Sequence, residues 1–111
     1  MITGAHVMIF SADEASDRAF LRDVLEVPCI DSDGGWLIFR LPPAELGVHE
    51  GRNELHQLYF MVDDVDAFVA RMADRGVEAE AVETQRWGRT TAVTLPGGGK
   101  LGVYQATHAR P

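Results

Sequence analysis

Short apolar runs separated by polar or glycine-rich breaks divide this chain into elements too brief for a helical bundle. The run HVMIFS at residues 6–11 is rich in strand formers, and Ser11-Ala12-Asp13-Glu14 follows it with the spacing of a capping box. Ala15, Ala19, Phe20, Val24 and Leu25 then recur at helical spacing, with Asp17, Arg18, Arg22 and Asp23 left for solvent, until Pro28 closes the segment. A strand therefore feeds a helix. Asp31 to Gly35 signals a turn, WLIFRL a strand, Pro42-Pro43 another turn and AELGVHE a further strand. The pattern then restarts. HQLYFMV is again a short apolar strand, Asp63-Asp64 is an acidic helix cap, and Val65, Phe68, Val69 and Met72 form an apolar stripe up to Gly76, a helix C-cap. VEAEAV, RTTAVTLP and KLGVYQ complete it as three strands.

The two passes end alike, LPPAELGVHE over 41–50 and LPGGGKLGVYQ over 95–105, so the chain repeats itself. Aligning the passes on Asp13 and Asp64 sets His6 opposite Gln57, Met8 opposite Tyr59 and Phe10 opposite Met61; aligning LGVH with LGVY sets Gly47 opposite Gly102. The expected architecture is α+β, with two tandem βαβββ units at about 5–50 and 54–106 inside a single domain spanning 1–111. Each unit needs the other to bury a sheet face.

Alternation along the strands then sorts side chains between two faces. Leu37, Phe39 and Leu41, with Leu46 and Val48, suit the helix side. The opposite face collects His6, Met8 and Phe10; Trp36, Ile38 and Arg40; Glu45, Gly47 and His49; Gln57, Tyr59 and Met61; Thr90, Ala92 and Thr94; and Gly102 and Tyr104. Aromatic rings and methionines with a few polar groups among them make a lining suited to a small-molecule cavity, and the glycines add room. The alternative is a core in which Tyr59, Arg40 and Glu45 satisfy one another.

Composition narrows the partners. At 111 residues and 46% apolar content one core is expected, and a formal net charge of −7 with scattered arginines excludes a phosphate-binding stripe for nucleic acid. No apolar run approaches the length of a membrane span, a single Cys29 can form no internal disulfide, and no leader pattern precedes Ala5, so a cytoplasmic protein is expected. Cys29 reads as a small buried filler. So small a domain cannot easily cover its apolar surface, and a homodimer is the expected assembly.

His6-Val7 ahead of Asp13, FMVDDVDAFVARMADRGV over 60–77 and LPGGGKLGVYQ resemble the vicinal oxygen chelate superfamily of glyoxalases, extradiol dioxygenases, fosfomycin-resistance transferases and bleomycin-binding proteins. The resemblance spans nearly the whole chain. It implies curled mixed sheets around a cavity, dimerisation, and, in catalytic members, a divalent metal (Zn, Mn, Fe or Ni) held from the first, fourth, fifth and eighth strands. Those places are His6, Gly47 or the neighbouring His49, Gln57 and Gly102. The glycines carry no side chain, and the carboxylate usual on the eighth strand is absent. Should a bulge reverse the fifth strand, His56 replaces Gln57. His108, in the tail HARP, reads as solvated.

Two functions follow. The first is a metal-dependent lyase or dioxygenase with His6, His49 and Gln57 as ligands and Glu45 or Tyr104 as acid/base partner. The second is a metal-free module that sequesters or senses a planar or anionic small molecule, using Phe10, Trp36, Tyr59 and Met61 as contact surface and Arg40 for a negative group. The missing eighth-strand carboxylate favours the second; the histidines on one face keep the first open.

Overall fold

Two sheets and two short helical elements, seen in a computed structural model that describes residues 7–45, 50 and 57–109, make this an α+β fold. The helix α1 (Glu14–Ala19) runs without a break into a π-helical stretch, Phe20–Val24. The pattern of apolar positions is met, but the cap is not the expected one. Asp13 accepts the Ser16 N–H at 3.2 Å as N-cap, while Ser11 stands outside the helix and its Oγ accepts the Asp13 N–H at 3.0 Å. The helical stretch ends at Glu26, whose φ of 57° is the left-handed conformation that a side chain resists by about 1–2 kcal/mol. Its carboxylate is held by Arg71 at 2.7 Å and Arg75 at 3.4 Å.

A two-stranded antiparallel hairpin follows, β1 (Cys29–Asp31) with β2 (Leu37–Phe39), closed by the predicted turn through Gly34 and Gly35. The second half contains β3 (Tyr59–Met61), α2 (Val65–Asp74), β4 (Glu83–Gln85), β5 (Gly88–Thr94) and β6 (Lys100–Ala106), in a sheet ordered β3-β6-β5-β4 with β3 parallel to β6 and the others antiparallel. Asp64 caps α2 by accepting the Ala67 N–H at 3.1 Å, and Gly76 leaves it at φ 75°, both as the pattern predicts.

Two strand predictions change. Residues 7–10 form no strand: with no neighbour among the described residues to take their backbone hydrogen bonds they lie exposed, Phe10 at 92%. VEAEAV forms no strand of its own: it meets β5 at one bridge, Ala79 with Val93, and through the Glu80 N–H to the Ala92 carbonyl at 2.9 Å, and Glu83–Gln85 then pairs with the rest of β5 as far as the turn at Arg86-Trp87. His6, Gly47, His49 and His56 lie outside the described residues.

The core sits on one face of the four-stranded sheet. Val93, Leu95, Leu101 and Val103 project from β5, β6 and the residue after β5 to meet Val65 and Met72 of α2 and Phe20 of the π-helical stretch. Each large apolar side chain so buried stabilises by about 1.5–3 kcal/mol. The first helix is fastened there by Asp17, which the pattern assigns to solvent but which is a buried carboxylate because it accepts the Gly97 N–H at 2.7 Å. All this leaves Thr90, Ala92, Gly102 and Tyr104 on the opposite face, which the helices do not cover.

Candidate functional site

On the face away from the helices three aromatic rings meet. Register puts Tyr59 beside Gly102, and Tyr104 lies one pleat further along β6 on the same side. Trp87 enters from the β4–β5 turn. Its ring is 5.4 Å from Tyr104 and 6.4 Å from Tyr59, Tyr59 and Tyr104 are 5.8 Å apart, and the interplanar angles of 76–89° make every pair edge-to-face. Trp87 remains 45% and Tyr59 38% exposed, so the cluster presents ring surface to the outside.

Gly102 explains the seating of Tyr59. A Cβ on Gly102 would stand 2.5 Å from Tyr59 Cδ1 and 2.6 Å from Cε1, so the ring lies where a side chain would be. The room that the glycine pattern predicts is filled by an aromatic ring.

A polar end closes the cluster. The Tyr104 hydroxyl donates to Glu45 Oε1 at 3.1 Å, and His108 brings Nε2 to 3.7 Å from the same oxygen and 3.5 Å from the hydroxyl. The tail that carries His108 is tied down: the Thr107 N–H donates to the Trp87 carbonyl at 3.0 Å and its hydroxyl to the Arg86 carbonyl at 3.0 Å. His108 Nδ1 is 2.9 Å from the Ala109 carbonyl, which leaves Nε2 as the ring nitrogen that faces Tyr104 and Glu45. A cleft of about 160 Å³ continues from here, lined by Met61, Asp63, Gln105 and His108 among others. A larger opening of about 500 Å³ lies elsewhere, between Phe20, the 76–80 segment and Pro96, and includes none of these rings.

Several cations are held away from the cluster. Arg89 points to the helix side, 2.7 Å from Asp66 of α2; that hydrogen-bonded contact holds the Asp66 carboxyl below its ordinary range and pushes the guanidinium further up. Lys100 is raised likewise by Glu80.

The architecture has clear likenesses among solved structures. An antibiotic-binding protein, TnmS3 from Streptomyces sp. CB03234, superposes with a TM-score of 0.69 at 23% identity, over 96% of this chain and 100% of that one. Lactoylglutathione lyase from Agrobacterium tumefaciens gives 0.63 at 18% identity over 91% and 93%. A glyoxalase/bleomycin resistance protein from Streptomyces sp. CB03234 gives 0.62 at 24% over 86% and 93%. The fold is that of the vicinal oxygen chelate superfamily. Neither a protein-family model nor a curated protein sequence matches the chain.

Members of this superfamily are often metal-dependent, and the described residues can be tested for fit. They do not fit. Gln57 is exposed, no group of three His, Cys, Asp or Glu side chains converges among the described residues, and the eighth-strand place is Gly102 with the Tyr59 ring over it. His6 and His49, the other expected ligands, fall outside the described residues.

The structure brings together Glu45, Tyr59 and Tyr104 of the residues expected at the site, with Met61 in the adjoining cleft. Phe10 and Trp36 make no ring contact with the cluster; Phe10 projects outward, and Trp36 packs under the Arg18 guanidinium, 5.0 Å from its ring centre. Arg40 is exposed and forms no ion pair among the described residues. Two cluster residues escaped the sequence pattern, although it held a signal for each. Trp87 stands in a turn just before a strand, as Trp36 does; His108 continues the alternation of Gly102, Tyr104 and Ala106 by one more step.

Proposed function

We propose that this protein is a metal-free binding module that holds a planar small molecule against the Tyr59–Trp87–Tyr104 rings, with Glu45 orienting a polar group of the ligand. The observation that supports it most is the ring cluster itself: aromatic surface left exposed beside a hydrogen-bonded carboxylate is a binding lining and not a dry core. That the fold also occurs in an antibiotic-binding protein agrees with a sequestering role. The lyase or dioxygenase alternative has the Tyr104–Glu45 pair as an acid/base candidate. It lacks an assembled ligand set among the described residues.

The working unit in this proposal is a homodimer of two tandem βαβββ units per chain. A radius of gyration of 14.8 Å exceeds the about 13 Å of a compact chain of this size, and Phe10, Ile30, Met8 and Val7 lie exposed. A second copy covering such surface would also set a wall opposite the ring cluster.

Calorimetric titration with a panel of planar aromatic compounds tests the binding role. Any compound that binds should lose about tenfold or more in affinity on Trp87→Ala and on Tyr59→Ala. Full affinity in both variants would overturn the site. Light scattering on the same samples should return the dimer mass; monomer at micromolar concentration would overturn the assembly.

A further inference from the structure

His108 shows what kind of group the polar end accepts. Its imidazole is a planar nitrogen ring, tilted 36° to Tyr104 with centroids 6.2 Å apart, and its Nε2 faces the oxygen that accepts the Tyr104 hydroxyl. The chain thus places a planar nitrogen ring between an aromatic face and a carboxylate.

The surroundings favour a positively charged occupant. Asp63 lines the cleft that continues past His108, and Glu45 is largely enclosed, its side chain 15% exposed. Faces of Tyr and Trp rings attract cations through their quadrupole, and a carboxylate strengthens a hydrogen bond from a charged N–H donor. A negative ligand would meet two carboxylates here. The guanidinium expected to receive it, Arg40, has no described contact with the rings.

We infer that the ligand of this site is a planar nitrogen compound carrying positive charge, an amidinium or a protonated heteroaromatic ring, and that it binds by displacing the His108 side chain from Glu45. The inference rests on the binding role proposed above and adds the ligand's charge and the residue it must displace. His108 is free to yield, since the backbone bonds of Thr107 hold the tail in place whatever its neighbour's side chain does.

Benzamidine, benzamide and benzoate share one ring and carry positive, zero and negative charge, so calorimetric titration with these three is the test. Benzamidine should bind about tenfold more tightly than benzamide, and benzoate more weakly than either. His108→Ala should tighten benzamidine several-fold, because nothing is left to displace. Glu45→Gln should bring benzamidine down to the level of benzamide. If Glu45→Gln fails to fold by circular dichroism, the three-ligand series on the wild type and on His108→Ala still decides, since His108 is exposed and outside the core. Benzoate equal to benzamidine, or benzamidine weakened by His108→Ala, overturns the inference. If all three bind alike and all are lost on Trp87→Ala, the planar-ligand site stands and only the charge assignment fails. If none of the three binds either protein, the charge assignment also fails, while the wider panel judges the binding role separately.

Discussion

Replacing Gly102 by alanine asks whether the Tyr59 ring is seated by the absence of a side chain beneath it. The added Cβ would lie 2.5, 2.6 and 3.1 Å from Tyr59 Cδ1, Cε1 and Cγ, whereas carbon atoms rest at about 3.5–4.0 Å, so the ring must retreat by about 1 Å. Because Cγ is among the crowded atoms, turning the ring about its own axis does not relieve the overlap, and the whole side chain has to swing. Doing so disturbs two edge-to-face pairs, with Trp87 and Tyr104, each contributing about 0.5–1.5 kcal/mol. The ring is 38% exposed and has an outward path, which keeps the cost in the lower part of the about 1–3 kcal/mol typical of overpacking. We expect a loss of about 1–2 kcal/mol in urea unfolding and a changed near-ultraviolet circular dichroism signal. The decisive comparison is a double-mutant cycle: in a Tyr59→Ala background, Gly102→Ala should be neutral or slightly stabilising, since the clash is gone and the unfolded chain loses freedom. Equal destabilisation with and without the Tyr59 ring would refute the reasoning and move the cause to the backbone.

Asp17→Ala should cost about 2–3 kcal/mol in the same unfolding assay, because it removes a buried carboxylate and leaves the Gly97 N–H without its acceptor, while Asp17→Asn should cost clearly less; equal effects would refute the hydrogen bond as the cause. Asp66→Asn should show a pH-dependent effect. Hydrogen bonding to Arg89 lowers the folded-state pKa of Asp66, so its stabilisation is present above the ordinary carboxylate range and is lost as pH falls through the lowered folded value. The gap in melting temperature between wild type and Asp66→Asn should therefore be open at neutral pH and close below about pH 4; a gap that persists in acid would refute the assignment.

The second half of the chain was the more legible, and the reason is physical. In β5 and β6 the alternation of Thr91, Val93 and Leu95 and of Leu101 and Val103 against small or polar neighbours is clean, because one face is packed by α2 and the other is not. Asp64 and Gly76 mark the ends of α2 by hydrogen bonding and by a left-handed φ, both local effects. The first half was harder to read. Nothing in Phe20–Val24 distinguishes a π-helical stretch from an α-helix, since the apolar positions that meet the core serve either. The run HVMIFS has every local feature of a strand, yet strand formation needs a partner, and a partner is not a property of the segment.

The candidate site divides along the same line. Tyr59 and Tyr104 could be placed because pleat parity fixes a face, and parity survives small errors in strand ends, whereas Glu45, in no described strand, joins them through its hydrogen bond with Tyr104. What parity does not tell is whether a glycine on that face leaves a hollow or a seat. Gly102 is a gap in the pattern, and a gap on a mixed face suggests room for a small molecule; in the structure Tyr59 from the neighbouring strand leans into it, and the same glycine becomes the reason three rings can meet. One missing side chain therefore accounts for two observations at once: the absence of an eighth-strand ligand and the presence of an aromatic platform. Restoring a carboxylate by Gly102→Glu would not simply complete a metal site, because the new side chain and Tyr59 compete for one volume. In this protein the Tyr59 ring already occupies the volume that a side chain at position 102 would need.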